Sequence, residues 1–347
     1  MDVKEFRVNV KVTPDSPLDM VRRALRFEET TRVPAIPIVG LFACSVTGIP
    51  VHSVLTDADQ QAQALLRCLR EFSYDGVFTV MDLTLEAEAL GAETRFPTDA
   101  FPYVSQHPLS DPTQIVELDP LDVDGTRLNV FVDTTAALAR EVGESHLVSS
   151  YVIGPFTLAG HLLGISRLLE AVMETPDSVR AALSRCVDII EPYVGALVAA
   201  GAHNIVILEP SASNSIISPH HFREFSRPFL ERQVEQIHHA GAMATVHICG
   251  RTGKIIKDMC ETGADALSID SAVDLHEAKS VAHGQCALIG NIDTSLLLEG
   301  TPDDVRHAAR EAINEASDGG GYVLSSGCDL PIETPVQNLR ALLMSAR

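Results

Sequence analysis

Short runs rich in β-branched residues recur along the chain, and the stretches between them repeat apolar positions every three or four residues. The strand-like runs are RVPAIPI from Arg32, DGVFTVM from Asp75, LVSSYVIG from Leu147, NIVIL from Asn204, MATVHI from Met243, ALSI from Ala266, CALIGNI from Cys286 and GYVLSS from Gly321. Helical periodicity fills the intervals, as in DADQQAQALLRCLREF, SVRAALSRCVDIIEPYVGALVAAGA, PHHFREFSRPFLERQVEQIHHAGA and TPDDVRHAAREAINEA. Ser218-Pro219 and Thr301-Pro302 each set a capping hydroxyl before a first-turn proline, while Gly201, Gly241 and Gly263 follow helix ends. Eight strand-then-helix units predict an α/β fold of the (β/α)8 TIM-barrel type in preference to an open doubly wound sheet. A single domain over residues 1–347 is expected, with an N-terminal extension over 1–31 and a segment over 91–146 that decorates the barrel mouth.

Composition narrows the class of partner. With 347 residues and 46% hydrophobic side chains the chain can bury a large core. Forty-seven acidic residues against 26 basic ones give a formal charge of −21, which repels nucleic-acid phosphates and anionic membrane surfaces. Neither nucleic acid nor membrane is expected as a partner. No apolar run reaches the ~18 residues of a membrane span, and MDVKEFRVNV lacks the apolar core of a signal peptide, so a cytoplasmic location is expected. The seven cysteines, Cys44, Cys68, Cys186, Cys249, Cys260, Cys286 and Cys328, are odd in number and scattered, which argues for reduced thiols or metal ligands over a disulfide framework. The glycine cluster Gly319-Gly320-Gly321 precedes a strand instead of following one, and neither GxxxxGK[ST] nor GxSxG occurs, so phosphate-loop and serine-hydrolase chemistry lose their support.

In a barrel the reactive groups come from the C-terminal ends of different strands. Those ends here carry Met81-Asp82, Gly154-Pro155, Glu209-Pro210, His247-Ile248-Cys249, Asp270, Asn291-Ile292-Asp293 and Ser326-Gly327-Cys328-Asp329. His247 and Cys249 are two apart, so in a strand that persists to Cys249 they point to one side. Cys328 lies 79 residues further on but ends the eighth run, which brings it to the same rim. An imidazole and two thiolates suit zinc, and three protein ligands leave a fourth position for substrate or water. Cys68, Cys186 and Cys260 fall in helix-like stretches and Cys286 begins a strand, so they read as ordinary reduced residues.

Several longer stretches carry a resemblance. VHICG together with GCDLPIETPVQNLRALL resembles the uroporphyrinogen decarboxylase superfamily, and within it the methylcobamide:coenzyme M methyltransferase branch. MDLTLEAEALGAE from Met81, GPFTLAGHLLG from Gly154, LEPSASNSIISPHHFREFSRPFL from Leu208 and LIGNIDTSLLLEGTPDDV from Leu288 extend it along nearly the whole chain. The resemblance implies a (β/α)8 barrel and a zinc ion held by His247, Cys249 and Cys328. It also implies methyl transfer between a corrinoid, methylcobalamin on a separate corrinoid protein, and a small-molecule thiol acceptor such as coenzyme M. No D-x-H-x-x-G motif occurs, Asp274-Leu275-His276 continuing as EAK, so the corrinoid carrier is expected on another chain.

The remaining strand-end residues admit more than one role. Glu209 is a candidate catalytic group, as a fourth zinc ligand or a base, and equally a structural acid bonding loop amides. Asp82, Gly154, Arg251, Asp270 and Asn291 are candidate substrate contacts, with polar support or capping as the plainer role for Asp82, Asp270 and Asn291. Asp293 shares that alternative. Arg251 stands where relatives commonly have an acid and could meet a sulfonate or carboxylate tail, or simply be a solvated loop residue. His161 and the pair His220-His221 are assigned exposed or mouth-lining roles, and His203 and His283 fall at the opposite face. Three alternatives stay open: tetrahydrofolate as the methyl acceptor, a decarboxylase-type lyase, and a non-catalytic subunit that docks the corrinoid protein. The lyase is disfavoured because RVPAIPIVGLFACS replaces an arginine-rich RQAGRY-type segment. The oligomeric state is left open, a homodimer included.

Overall fold

Seven of the eight strand-like runs pair into one curled parallel sheet in the order β1 (Gly76–Phe78), β4 (Leu147–Ile153), β5 (Asn204–Leu208), β6 (Met243–Ile248), β7 (Ala266–Ile269), β8 (Ala287–Ile292) and β9 (Tyr322–Ser326). These elements come from a computed structural model that describes residues 16–347. The first 15 residues of the expected N-terminal extension lie outside the described residues.

The first run behaves differently. Residues 32–38 form only an isolated parallel bridge, Ala35 with Leu324. Pro34 and Pro37 have no N–H to give a ladder, and the amides that remain are spent individually. Ile36 N donates to Leu324 O at 2.9 Å, Ala35 N to the Asp75 carboxylate at 2.7 Å, and Ile38 N to Ser326 Oγ at 3.1 Å. Asp75 N donates back to Ala35 O at 2.9 Å, so this segment touches the sheet at both the β1 and β9 edges.

Inward-facing residues of the strands make an inner core that includes Leu147, Tyr151, Val206, Leu208, Ala266, Ala287, Ile289 and Val323. Its floor is the helix Pro17–Leu25, whose Leu18, Val21, Ala24 and Leu25 join the same cluster. Ser16 caps that helix by accepting from Asp19 N, and Pro17 takes the first turn, where a missing N–H costs nothing. Leu18 N bonds Ser145 O and Gly321 N bonds Ala24 O, both just before a strand begins. The helix therefore closes the N-terminal end of the sheet and leaves the C-terminal end for chemistry.

The segment 91–146 divides in two. Residues Glu93–Arg95 (β2) and Tyr103–Gln106 (β3) pair as a small antiparallel ribbon. The helix Leu128–Val142 instead packs on the helix Ala58–Phe72 and on β4, as a member of the outer helical layer. Among the described residues no single helix is long and apolar enough to cross a membrane.

Candidate metal centre

His247 sits in the last pair of residues of β6, in register with Leu208 on one side and Ser268 on the other. Leu208 belongs to the inner core, and His247 is itself buried. The chain leaves β6 at Ile248, so Cys249 is the first residue beyond it, and Cys328 stands two residues past β9. His247 Nε2 lies 3.0 Å from Cys249 Sγ and 3.9 Å from Cys328 Sγ, and the two sulfurs are 3.6 Å apart. Both cysteines are free thiols, and the three ligand atoms lie within 4.8 Å of one another. A tetrahedral zinc with ordinary Zn–S and Zn–N bonds sets ligand-to-ligand edges of about 3.5–3.8 Å, so the trio is already spaced for such an ion.

The histidine is oriented from behind. Its Nδ1 is 3.1 Å from Ser268 O and 2.9 Å from Ser268 Oγ. A carbonyl can only accept, so Nδ1 carries the hydrogen and Nε2 presents its lone pair to the sulfurs. Burial draws the His247 pKa down, but the bond to Cys328 and its charge, the Ser268 carbonyl and the Asp270 carboxylate outweigh it, and the net shift is upward. The Cys328 thiol is raised first by its bond to Cys249 and then by burial. Two close sulfurs without a cation compete for protons, and a bound cation would relieve that competition.

Of the five candidate substrate contacts, the structure gathers two around this trio as loop supports. Asp270 accepts from Gly250 N at 2.9 Å and from Ala272 N at 2.8 Å, which holds the turn after Cys249. Gly250 has φ +80°, a conformation that lets the chain turn away directly after the ligand. Asn291 donates to Asp270 O at 3.1 Å and Val273 O at 2.9 Å, fixing the loop that follows β7. Arg251 is exposed; its carbonyl accepts from Asn214 N at 3.0 Å, and its guanidinium forms no ion pair among the described residues. Asp293 caps the helix Thr294–Glu299 by accepting from Ser295 N.

Asp82, Gly154 and Glu209 belong to the other half of the rim. Asp82 accepts from Thr84 N and Thr84 Oγ1 and pairs with Arg127 at 2.5 Å. Arg127, in turn, bonds Glu88 at 2.7 Å and lies over the Phe96 ring, which ties the 91–127 segment to the end of β1. Glu209 is buried, with Oε1 accepting from Phe156 N at 2.8 Å and Oε2 from Thr157 N at 2.9 Å. Its carboxylate is thus committed to the first turn of the helix Pro155–Leu163, outside the metal-ligand group. Gly154 permits this, since a Cβ there would lie 2.3 Å from Glu209 Oε2. Burial raises the Glu209 pKa to about 7 against the lowering effect of its hydrogen bonds. Glu86, buried and bonded by Ile153 N, is likewise raised to about 7 by burial. His161 is pushed down to about 4 by burial, which keeps it neutral.

Ser268, Arg127 and Tyr151 were not singled out by sequence, and Asp329 appeared there only as the residue that follows Cys328 at a strand end. Ser268 could be placed on the face of Ala266, two residues earlier in the ALSI run, but only the sheet register sets it beside His247.

A family model described as uroporphyrinogen decarboxylase (URO-D) matches residues 16–347. The methylcobamide:CoM methyltransferase MtbA of Methanosarcina mazei is 26% identical over 341 residues, covering 97% of this chain and 99% of that protein. A methylated-thiol–coenzyme M methyltransferase of the same organism is 27% identical over 267 residues, 77% of this chain and 70% of that one. Among solved structures, a methyltransferase from Methanosarcina mazei superposes with a TM-score of 0.84 at 25% identity, over 96% of this chain and 98% of its own.

Proposed function

Because the chain belongs to the uroporphyrinogen decarboxylase (URO-D) family, we propose that it is a zinc-dependent methyltransferase moving a methyl group between a corrinoid and a small thiol, the acceptor class that includes coenzyme M. The observation that carries this reading is the convergence of His247, Cys249 and Cys328 into one ligand group, with His247 Nε2 aimed by Ser268. Glu209, whose two oxygens are taken by helix amides, is better read as an anchor for that helix than as a fourth ligand or a base. A fourth position is thereby left to the substrate, as in catalytic zinc sites.

When bound, zinc supplies a Lewis acid that lowers the pKa of a substrate thiol toward neutrality. Neutral His247 adds no charge, while Cys249 and Cys328 each add one negative charge as thiolates. Together they offset a dication and leave the acceptor sulfur electron-rich. With both groups bound, the chemistry supplied would be transfer of a methyl group from the corrinoid to the acceptor sulfur, with the thiol proton passing to solvent. Ser268 fixes the imidazole tautomer, and Asp270 and Asn291 hold the two loops that carry the site. The corrinoid is proposed to arrive on a separate protein that docks at the C-terminal rim.

A closed eight-membered barrel is part of this proposal, supported by the bonds that residues 34–38 make to both edges of the sheet. So is a cytoplasmic setting, where thiols stay reduced. A decarboxylase-type lyase has less support: Arg32, the arginine of the first run, is engaged with Asp75 at 2.6 Å, before the start of β1 and away from the rim. Methylcobalamin demethylation, followed spectroscopically with thiols and with tetrahydrofolate, tests the reading. Turnover with a thiol and its loss on chelation are expected. Turnover that survives chelation, turnover with tetrahydrofolate alone, or none at all in a zinc-loaded protein would each overturn it.

A further inference from the structure

The N-terminal face of the sheet, opposite the metal centre, carries a cavity of about 670 Å³. Three of its wall residues stand just before strands: His203 precedes β5, Ala242 precedes β6 and Asp265 precedes β7. The facing wall is the helix Pro17–Leu25 with the residue that ends it, from which Arg22, Arg23 and Arg26 line the same space. Three guanidinium groups thus meet one cavity in a chain of formal charge −21.

Nothing described nearby uses these cations up. Among the described residues Arg22 and Arg26 form no ion pair and no side-chain hydrogen bond, while Arg23 pairs with Glu28 at 3.6 Å. Arg22 and Arg26 are four apart and share one helix face, where like charges repel. The helix dipole draws cations to the last turn, but it does not call for two on one face above a cavity. Both carboxylates on the walls are engaged elsewhere: Asp19 accepts from Ser16 Oγ at 2.8 Å, and Asp265 accepts from His238 Nε2 at 2.9 Å and Ala244 N at 2.8 Å. His203 adds a donor without charge. Its Nδ1 receives the Val148 N–H at 3.1 Å, so the ring hydrogen sits on Nε2. Burial, and then the charge of Arg22, hold the His203 pKa down and keep the ring neutral beside that guanidinium.

We infer that this cavity is a binding site for a small phosphate ester, with Arg22 and Arg26 taking the phosphate oxygens and His203 Nε2–H adding a neutral donor. Guanidinium forks match phosphate geometry, and two of them offset a phosphate that carries close to two negative charges. The volume falls within the range of small-molecule sites and exceeds a single phosphate, which leaves space for an organic group. Met243, also on the wall, begins β6, and His247 follows four residues later, about 13 Å along a strand. A phosphate here is therefore out of reach of the metal ligands, and the inference stands apart from the methyltransferase reading.

The test titrates the full chain with glycerol 3-phosphate and with inorganic phosphate. Calorimetry reads the affinity, and the NMR signals of the His203 ring, identified by their loss in His203→Gln, read the place. The ester is expected to bind with a Kd below about 1 mM, the scale of two or three charge-assisted hydrogen bonds, and at least as tightly as inorganic phosphate. The His203 signals should shift in step with binding. Arg22→Gln and Arg26→Gln, with circular dichroism unchanged, should each weaken the ester by about tenfold or more. Arg22→Lys, which keeps the charge without the fork, should weaken it less. No binding of either compound, binding that both glutamine variants leave unchanged, or uptake of inorganic phosphate with the ester excluded would each overturn the inference. So would binding that moves the His247 signals and leaves those of His203 still, since the phosphate would then sit at the metal centre.

Discussion

The two halves of the rim carry similar residue types and use them in opposite ways. Around β1, β4 and β5 the polar side chains are spent on the scaffold: Asp82 holds Arg127 and Thr84, Glu86 takes Ile153 N, and Glu209 takes two amides of the helix Pro155–Leu163. Around β6 and β9 the sulfurs meet only one another and an imidazole. The acids of the first half are buried, while Cys249 and Cys328 are only partly so. Asp270 and Asn291 are engaged there too, as loop supports, so it is the saturation of the ligand trio itself that separates groups that await a ligand from groups that hold the fold.

Substitutions should sort by half. The largest effect is expected from Cys249→Ala or Cys328→Ala, which should take metal content from about one zinc per chain to none and abolish methyl transfer, with the fold retained. Elemental analysis and circular dichroism check this; a variant that keeps its full metal content and activity would remove the assignment. On the other half, Arg127→Ala should leave zinc stoichiometry intact yet destabilise the protein by about 3 kcal/mol or more, since it strands the buried Asp82 carboxylate. Denaturant titration reads that loss, and a shift under ~1 kcal/mol would show that Asp82 is less dependent on its partner than its burial implies.

A smaller effect follows from the buried acids. Glu86 and Glu209 are both raised to about 7, above the ordinary carboxylate value, so between pH ~4.5 and 7 the folded protein binds protons that the unfolded chain has released. Their contribution to stability is full below the unfolded pKa and is lost as pH rises through about 7. Glu86→Gln should remove its share of that slope, on the order of 1 kcal/mol per pH unit across the window. Parallel stability curves for the wild type and Glu86→Gln from pH 5 to 8 would contradict it.

How much of this could be read from sequence depended on whether the signal was local. Seven strand runs and the trio His247, Cys249 and Cys328 were legible because alternation and strand ends are local patterns. The first run was legible as an element but not as a ladder, since Pro34 and Pro37 remove the donors that its β-branched character suggests. The helix Leu128–Val142 was hidden by NVFVDTT, a β-branched stretch that helical packing against β4 overrides. Glu209 could not be resolved between anchor and ligand, because the amides it bonds lie more than fifty residues earlier. Ser268 and Arg127 take their meaning from neighbours that only the folded sheet supplies.

The contrast between the halves of the rim is tested most directly by X-ray absorption at the zinc edge, on the protein alone and with an acceptor thiol. Two sulfurs at about 2.3 Å and one nitrogen at about 2.0–2.1 Å are expected from the protein, with a third sulfur joining when the thiol is added. A centre without sulfur ligands, or one already closed by four protein ligands that the thiol leaves unchanged, would contradict the proposed open site.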